Sequence, residues 1–209
     1  GGTLGDLYTN SDLVYNDDGY IEVDKNGNVA VKDDYMDDIY LGSVFPKYNL
    51  AWRNDFNYKG INLGVLFTAR IGGICYSATQ ANMDLYGVSE ASAAARDAGG
   101  VMINGRDMID AQKWYQVIGS QSGLPQYYTY SATNVRLQEL SLGYTLPSKW
   151  FRDKMRMTVS FVGRNLWMIY CKAPFDPEAV ASTGMNYQGI DYFMMPSMRN
   201  LGFNVKFQF

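Results

Sequence analysis

The feature of this sequence that most constrains its fold is the strict alternation of apolar and polar residues in several long stretches. At the C-terminus, five apolar residues from Leu201 to Phe209 alternate without a break with glycine or polar residues. Side chains two residues apart point to the same side of a β-strand, whereas a helix repeats about every 3.6 residues. The alternation therefore predicts strands with one apolar and one polar face, and an all-β fold.

Five stretches follow this pattern, and we predict about five long antiparallel strands from them. In the third stretch the apolar parity changes between Leu137 and Leu140, which predicts a β-bulge. Leu66 is the one apolar residue on the polar side of the second stretch, and Lys59-Gly60 is a tight-turn sequence between the first two. The predicted strands cover about residues 47–58, 60–70, 134–146, 155–170 and 198–209.

The segments between these strands differ in character. Residues 1–46 are acidic and turn-rich, and they predict a small hairpin around Asn26-Gly27. Residues 71–133 form a long loop with helix-like stretches near 89–98 and 107–118, and residues 171–197 form a second long loop. Short and long connections therefore alternate along the chain.

Two environments would explain the apolar face, because a soluble β-sandwich also alternates along its strands. The predicted strands have roughly the 9–12 residues that a tilted strand needs to cross a bilayer. Aromatic residues such as Tyr48, Tyr58 and Trp167 lie near strand ends, where interfacial girdles occur. Short turns on one side and long loops on the other are typical of outer-membrane barrels. The pattern thus favours a transmembrane β-barrel over a soluble sheet.

Composition narrows the possible functions. The chain has no His, which removes Ser–His and Cys–His nucleophile pairs and His-based metal sites. A net charge of −3 leaves no basic surface for nucleic acid. Cys75 and Cys171 form neither a CxxC pattern nor a disulfide framework. We predict that the chain is not an enzyme, that it needs no cofactor or metal, and that it binds no nucleic acid.

The polar parity carries most of the charged residues of the strands. In a barrel this face lines the lumen, because Arg or Lys on the lipid side costs roughly 2–4 kcal/mol near the middle of the bilayer. In a soluble sheet the same residues would be solvated surface charges. The residues predicted to face the lumen are Arg53, Asp55, Arg70, Arg156, Arg164 and Lys206.

Several sequence motifs resemble those of the SusC/RagA family of TonB-dependent outer-membrane transporters of Bacteroidetes. These motifs agree with that family in order and spacing over most of residues 40–209. They are Phe45-Pro46-Lys47-Tyr48, Trp52-Arg53-Asn54-Asp55-Phe56, the stretch from Asn134 to Pro147, Gly163-Arg164-Asn165-Leu166-Trp167, Asp176-Pro177-Glu178 and Arg199-Asn200-Leu201-Gly202-Phe203.

The resemblance implies a barrel of 22 strands with an N-terminal plug, a SusD-like surface lipoprotein as its lid, and energy supplied by TonB through the N-terminal region. Five strands cannot close a barrel, since the smallest spanning barrels use about eight. We therefore expect this chain to be the C-terminal segment of a larger transporter, or one chain of a split or incomplete gene product, and not to transport by itself. Residues 1–46 would then be an extracellular loop segment, and residues 47–209 the C-terminal barrel strands with their long loops.

The resemblance and the strand pattern together suggest two groups of functional residues. The terminal aromatics Phe203, Phe207 and Phe209 resemble the signal that the outer-membrane assembly machinery recognises, since an exposed last strand can pair by edge addition. Aromatic residues of the long loop could stack on sugar rings or pack against peptide, or they could form the core of the loop itself. These loop residues are Trp114, Tyr115, Tyr127, Tyr128 and Tyr130.

The sequence thus predicts part of a TonB-dependent importer of the bacterial outer membrane, with an oligosaccharide or oligopeptide as substrate. Asp176-Pro177-Glu178 is interpreted as a proline-fixed turn, because two carboxylates without further ligands are weak evidence for a metal. The alternative is a soluble, β-rich carbohydrate-binding module that uses the aromatic loop to stack on sugars.

Overall fold

The structure, a computed structural model, describes residues 5–33, 38–152, 154–181 and 188–208. Strands dominate these ranges. They are β1 (Asp6–Thr9), β2 (Ser11–Leu13), β3 (Val31–Asp33), β4 (Ile39–Ser43), β5 (Tyr48–Tyr58), β6 (Ile61–Ile71), β7 (Ile74–Ser77), β8 (Val101–Ile103), β9 (Asp107–Ile109), β10 (Thr129–Ser131), β11 (Asn134–Thr145), β12 (Arg156–Cys171), β13 (Ile190–Asp191) and β14 (Asn200–Gln208). The α-helices are α1 (Ala78–Leu85), α2 (Glu90–Asp97) and α3 (Ala111–Gly119), and two 3-10 helices span Pro125–Tyr128 and Ser148–Phe151.

The chain divides into two compact units. The first comprises residues 1–45, 74–130 and 180–194, and the second comprises residues 46–73, 131–179 and 195–209. None of the helices in the described ranges combines the length and the apolar composition that crossing a bilayer requires.

The second unit is a five-stranded antiparallel sheet in the order β14-β12-β11-β6-β5. Its strands are 9 to 16 residues long, compared with the roughly 9–11 that a tilted strand needs to span a bilayer. β5 and β6 are joined by Lys59-Gly60, whose φ angles of 48° and 87° are those of a type I′ turn. The predicted all-β architecture and this tight turn are confirmed.

The register of the sheet aligns apolar residues into rows that cross all five strands. Phe56 pairs with Leu63, Leu63 with Leu142, Leu142 with Phe161, and Phe161 with Phe203. Residues paired across neighbouring strands lie on the same face of a sheet. One face of the second unit is therefore apolar from edge to edge.

The predicted β-bulge in the third long strand is confirmed. The pairing of β11 shifts between Leu137 and Glu139, and Gln138 is the extra residue relative to β6. On the other side, β12 has two residues, Asn165 and Leu166, opposite this single residue. A bulge reverses which parity faces which side of a sheet. This shift keeps Leu137 and Leu140 on the apolar face although their spacing along the chain is odd.

The first unit packs three helices and several short strands around its own core. β7 lies between β10 and β13 in a small sheet, while β1 pairs with β4, β2 with β3, and β8 with β9. Side chains of Ser77, Ser89 and Asp110 accept hydrogen bonds at the N-termini of α1, α2 and α3, as is usual for these residue types. The buried core residues are Leu13, Val29, Ala81, Ile103, Ile109, Trp114, Ile118, Leu124 and Tyr128.

The first unit differs in detail from the sequence-based expectations. Helix α2 lies within the first stretch predicted as helical, and α3 overlaps the second, but residues 107–109 belong to β9 rather than to a helix. The hairpin around Asn26-Gly27 is held by isolated bridges, Val23 to Val29 and Tyr15 to Ile21, and by the β2–β3 pair. Within the described residues, neither Cys75 nor Cys171 forms a disulfide.

Candidate functional site

The apolar face of the five-stranded sheet is exposed. Trp52 and Phe203 have 56% and 81% of their surface accessible, and the exposed large apolar residues of this face occur on all five strands. Aromatic rings contact one another across strands, with Trp52 stacked on Phe67 at 5.7 Å between ring centroids. Soluble monomers rarely expose an apolar patch of more than a few hundred Å². A sheet with this face requires an apolar environment such as lipid.

The opposite face carries a charged row at one level of the sheet. Arg53 on β5 pairs in register with Leu66, Leu66 with Glu139 on β11, and Glu139 with Arg164 on β12. The Arg164 Nε atom donates to Glu139 at 3.0 Å, and Arg53 lies 3.7 Å from the other Glu139 oxygen. Arg53 also donates to Asp55 at 3.0 Å. Charges of alternating sign therefore lie on β5, β11 and β12, and the uncharged Leu66 of β6 lies between the first two of these strands.

Gly64 makes room for this row. A Cβ atom on Gly64 would lie 2.5 Å from the Ser141 Oγ atom and 2.8 Å from an Asp55 carboxylate oxygen. Both distances are shorter than a normal contact, so a side chain here would displace the two polar groups. Glycine in a strand often marks such a close approach.

The sheet register places all six residues that were predicted to face a lumen on this polar face. Besides Arg53, Asp55 and Arg164, Arg70 pairs with Asn49 and Asn134, Lys206 pairs with Thr158, and Arg156 pairs with Gln208. They occupy several levels along the strands and therefore do not form one cluster. That this face lines a lumen stays a prediction.

A buried cluster around Arg136 lies beside this face. The Arg136 side chain is 2% exposed and forms an ion pair with Asp176, which follows β12. It also donates to Asn134 at 3.1 Å, to Asn165 at 3.3 Å and to Ser197 at 3.2 Å. Asp176 and Ser197 come from the two ends of the loop between β12 and β14. Arg136 thus holds both ends of this loop together.

The electrostatics of Asp176 follow from this arrangement. Burial acts against its charged form, but hydrogen bonds from Arg136, Ser197 and the backbone N–H of Glu178 prevail and lower its pKa to about 2. Asn165 reaches the cluster because its backbone is left-handed, with a φ of 52°, and its amide donates to Ser197 at 2.8 Å. Asp176-Pro177-Glu178 is a turn anchored by an arginine. Among the described residues no group of three or more acidic or cysteine side chains could hold a metal.

The aromatic loop residues divide between the core and the surface of the first unit. Trp114 and Tyr128 are part of the buried core of the first unit, so the loop's own core accounts for their positions, and contact of either with a substrate stays a prediction. Tyr127 is 40% exposed and packs edge-on against Trp114 at 5.8 Å. Tyr115 and Tyr130 are half-buried. Substrate contact by these last three residues stays a prediction.

The terminal aromatics lie on the exposed apolar face of the edge strand β14. Phe203 contacts Phe161 edge-on at 5.5 Å, and Phe207 pairs with Met157 of β12. Phe209 lies outside the described residues. The structure therefore places Phe203 and Phe207 on an edge strand, and their role as an assembly signal stays a prediction.

Two residues that complete these sites were not singled out from the sequence. Glu139 joins the charged row only because the bulge at Gln138 turns it to the polar face, and simple alternation does not reveal this. Arg136 lies two positions after the polar Asn134, so both side chains point to the same side of an alternating strand. This pair of polar residues was the available signal for a buried cluster.

Comparisons with known proteins agree with this description. No protein-family model matches the chain. The chain is 25% identical over 198 residues to TonB-dependent receptor P3 of Formosa agariphila (strain DSM 15362 / KCTC 12365 / LMG 23005 / KMM 3901 / M-2Alg 35-1), an alignment that covers 90% of this chain and 19% of the relative. The chain therefore spans about a fifth of the length of that receptor.

Solved structures of the RagAB peptide importer have the same fold. In the closed-closed state, a chain of that importer superposes with a TM-score of 0.58 and 16% identity, covering 98% of this chain and 24% of that chain. In the open-open state, the TM-score is 0.57 and the identity 16%, and the superposition covers 97% of this chain and 21% of that chain. These relatives are a receptor and an importer rather than enzymes.

The receptor similarity and the shared fold confirm the predicted resemblance and the outer-membrane location, and they favour the barrel over the soluble carbohydrate-binding module. This chain is similar in sequence to a TonB-dependent receptor and has the fold of part of a chain of the RagAB peptide importer.

Proposed function

We propose that this chain forms part of the barrel wall and of the substrate-facing loops of a TonB-dependent outer-membrane importer. The observation that carries the proposal is the two-sided sheet, with one face apolar and exposed on all five strands and the other carrying the charged row. Lipid on one side and a wet lumen on the other satisfy both faces. The polar face would then line the transport path.

The sheet also implies neighbours. Within the described part of the chain, β5 and β14 each pair with one strand of the sheet, which leaves two edges. Unpaired backbone groups in a bilayer cost several kcal/mol each, so both edges need further strands. By itself the sheet would not transport, and the outer-membrane assembly machinery would engage β14 during insertion, with the aromatic residues of that strand as the signal.

The proposed substrate is an oligosaccharide or an oligopeptide, as expected for importers of this type. A SusD-like surface lipoprotein is the proposed lid, and TonB the proposed source of energy through a region outside this sequence. The structural relatives, which are importer assemblies specified for peptides, support a partnered importer. The exposed Tyr127 and the half-buried Tyr115 and Tyr130 are the proposed loop contacts.

An uptake experiment tests this proposal. The gene that encodes the chain is deleted in its source bacterium, and uptake of fluorescent oligosaccharides and oligopeptides is compared with and without a protonophore. Loss of energy-dependent uptake of one of the two substrate classes, restored by the intact gene, is expected, and it identifies the class. Unchanged uptake of both classes, or recovery of the protein in the soluble fraction, would refute the proposal.

A further inference from the structure

A small cavity lies among the three helices of the first unit. Its volume is about 180 Å³, roughly the space of six water molecules. It is lined by polar and apolar residues of α1, α2 and α3 and of the turn that follows α1. The lining residues that matter here are Asp84, Ser92, Arg96, Gln112 and Tyr115.

Asp84 is the unusual member of this lining, because only 5% of its surface is exposed. The Gln80 side-chain amide donates to its Oδ1 atom at 2.9 Å. No Lys or Arg in the described ranges forms an ion pair with Asp84. Buried carboxylates in proteins are normally paired with a cation or coordinate a metal, since an isolated buried charge is costly. Asp84 therefore has no ion-pair partner within the described ranges.

The position of Asp84 in its helix adds to the cost of leaving its charge without a cation. It stands in the last turn of α1, where the helix macrodipole is negative, and that turn contains no basic residue. Tyrosines surround it. The buried Tyr128 hydroxyl has no hydrogen-bond partner of normal geometry within the described ranges, and burial, with Asp84 as the next cause, raises the pKa of Tyr128. The pKa of Tyr115 is raised by the same two causes in the same order.

Arg96 gives the cavity a second, opposite charge. Its guanidinium is exposed and donates to the Gly87 carbonyl at 2.7 Å, and it forms no ion pair within the described residues. A simple cation would be attracted by Asp84 but repelled by Arg96, and a simple anion would meet the reverse. A small molecule that carries both charges satisfies both residues.

We propose that this cavity binds the head group of an α-amino acid, with the ammonium group on Asp84 and the carboxylate, or the first carbonyl of a peptide, towards Arg96. The volume suits about five to seven non-hydrogen atoms, which is the size of a single small residue. The shared chemistry is an α-amino group followed by a carbonyl carbon. It occurs both in free amino acids and at the amino terminus of peptides.

This inference rests on the proposed function only for its biological use, and binding is measured without transport. The protein purified from the outer membrane in detergent is titrated calorimetrically with glycine, triglycine and N-acetylglycine. Saturable binding of glycine or triglycine and none of N-acetylglycine is expected. Binding of glycine alone identifies free amino acids as the source, whereas binding of triglycine with at least equal affinity identifies peptide amino termini. Failure of uptake with intact binding would refute only the proposed function.

Variants separate a binding role from a structural one. Asp84→Asn retains the hydrogen bond from Gln80 and should weaken binding at least tenfold, while Asp97→Asn, at an exposed acid of the neighbouring helix α2, should leave it unchanged. The Arg96→Gln variant, changed at an exposed site, should bind glycine no more tightly than it binds glycinamide, which lacks the carboxylate charge. The proposal is wrong if the folded wild-type protein binds neither glycine nor triglycine, or if Arg96→Gln and folded Asp84→Asn bind with wild-type affinity.

Discussion

Replacing Arg136 by Met tests the buried cluster that holds the loop between β12 and β14. The substitution keeps most of the side-chain volume but leaves the Asp176 carboxylate buried with its ion-pair partner removed. Breaking one side of a buried pair typically costs 3–5 kcal/mol. The loop ends at Asp176 and Ser197 would separate so that the carboxylate gains water. The population of the open loop should therefore rise by roughly 10²- to 10⁴-fold.

Hydrogen exchange followed by mass spectrometry measures this opening directly. The Glu178 amide donates to Asp176 at 3.0 Å, so peptides that cover residues 174–180 report the state of the cluster. We expect their exchange to accelerate by about 10²- to 10⁴-fold in Arg136→Met. Exchange should stay unchanged in the control Arg53→Met, whose arginine is exposed. Wild-type exchange rates in Arg136→Met would refute the view that this arginine fastens the loop.

Three further predictions follow from single contacts. The folded-state pKa of Asp176 is depressed to about 2 from a usual 3.8, which contributes about 2 kcal/mol to the stability of the closed loop. This contribution is present above about pH 4 and is lost as the pH falls towards 2, so the exchange of residues 174–180 should accelerate only in that range. Gly60→Ala should destabilise the β5–β6 hairpin by about 1–2 kcal/mol in urea unfolding, because the φ of Gly60 is +87° and a Cβ there would lie 2.9 Å from the Thr145 carbonyl oxygen. The control Lys59→Gly should cost nothing, and equal effects of the two substitutions would contradict the turn geometry. Phe161→Lys should destabilise the protein in lipid vesicles by about 2–4 kcal/mol, and Ser160→Lys by less than about 1 kcal/mol. The reverse order would show that the apolar and polar faces have been assigned to the wrong sides.

Alternation along the chain was sufficient to predict the five long strands because it is a local property of the sequence. Each strand has its own apolar parity, and the change of parity after Leu137 indicated where the bulge lies. The Lys59-Gly60 turn was also predictable, since few dipeptides adopt two positive φ angles at low cost. The strand order and register follow from antiparallel hairpins with short and long connections.

The parts that were not predicted depend on contacts between residues far apart in sequence. Helix α1 has no clear apolar stripe, and its packing on α3 depends on Ala81 and Gly119, where a Cβ on the glycine would lie 2.7 Å from the Ala81 carbonyl oxygen. The role of Arg136 requires Asp176, which lies 40 positions away. Trp114 and Tyr128 were candidates for ligand contact because aromatic residues suit both surfaces and cores, and only the packed helices assign them to the core.

The central claim is that the apolar face of the five-stranded sheet meets lipid and the opposite face meets water. Spin labels placed one at a time at positions 49 to 57 of β5, in a protein with both cysteines replaced by serine and reconstituted in vesicles, measure this directly. Labels at positions 50, 52, 54 and 56 should be relaxed mainly by oxygen, which partitions into lipid, and labels at positions 51, 53 and 55 mainly by a water-soluble nickel complex. Accessibility to oxygen and to the nickel complex should alternate with a period of two residues, with oxygen favoured at the even-numbered positions. Equal accessibility to the nickel complex at both sets of positions would show that the sheet does not span a bilayer.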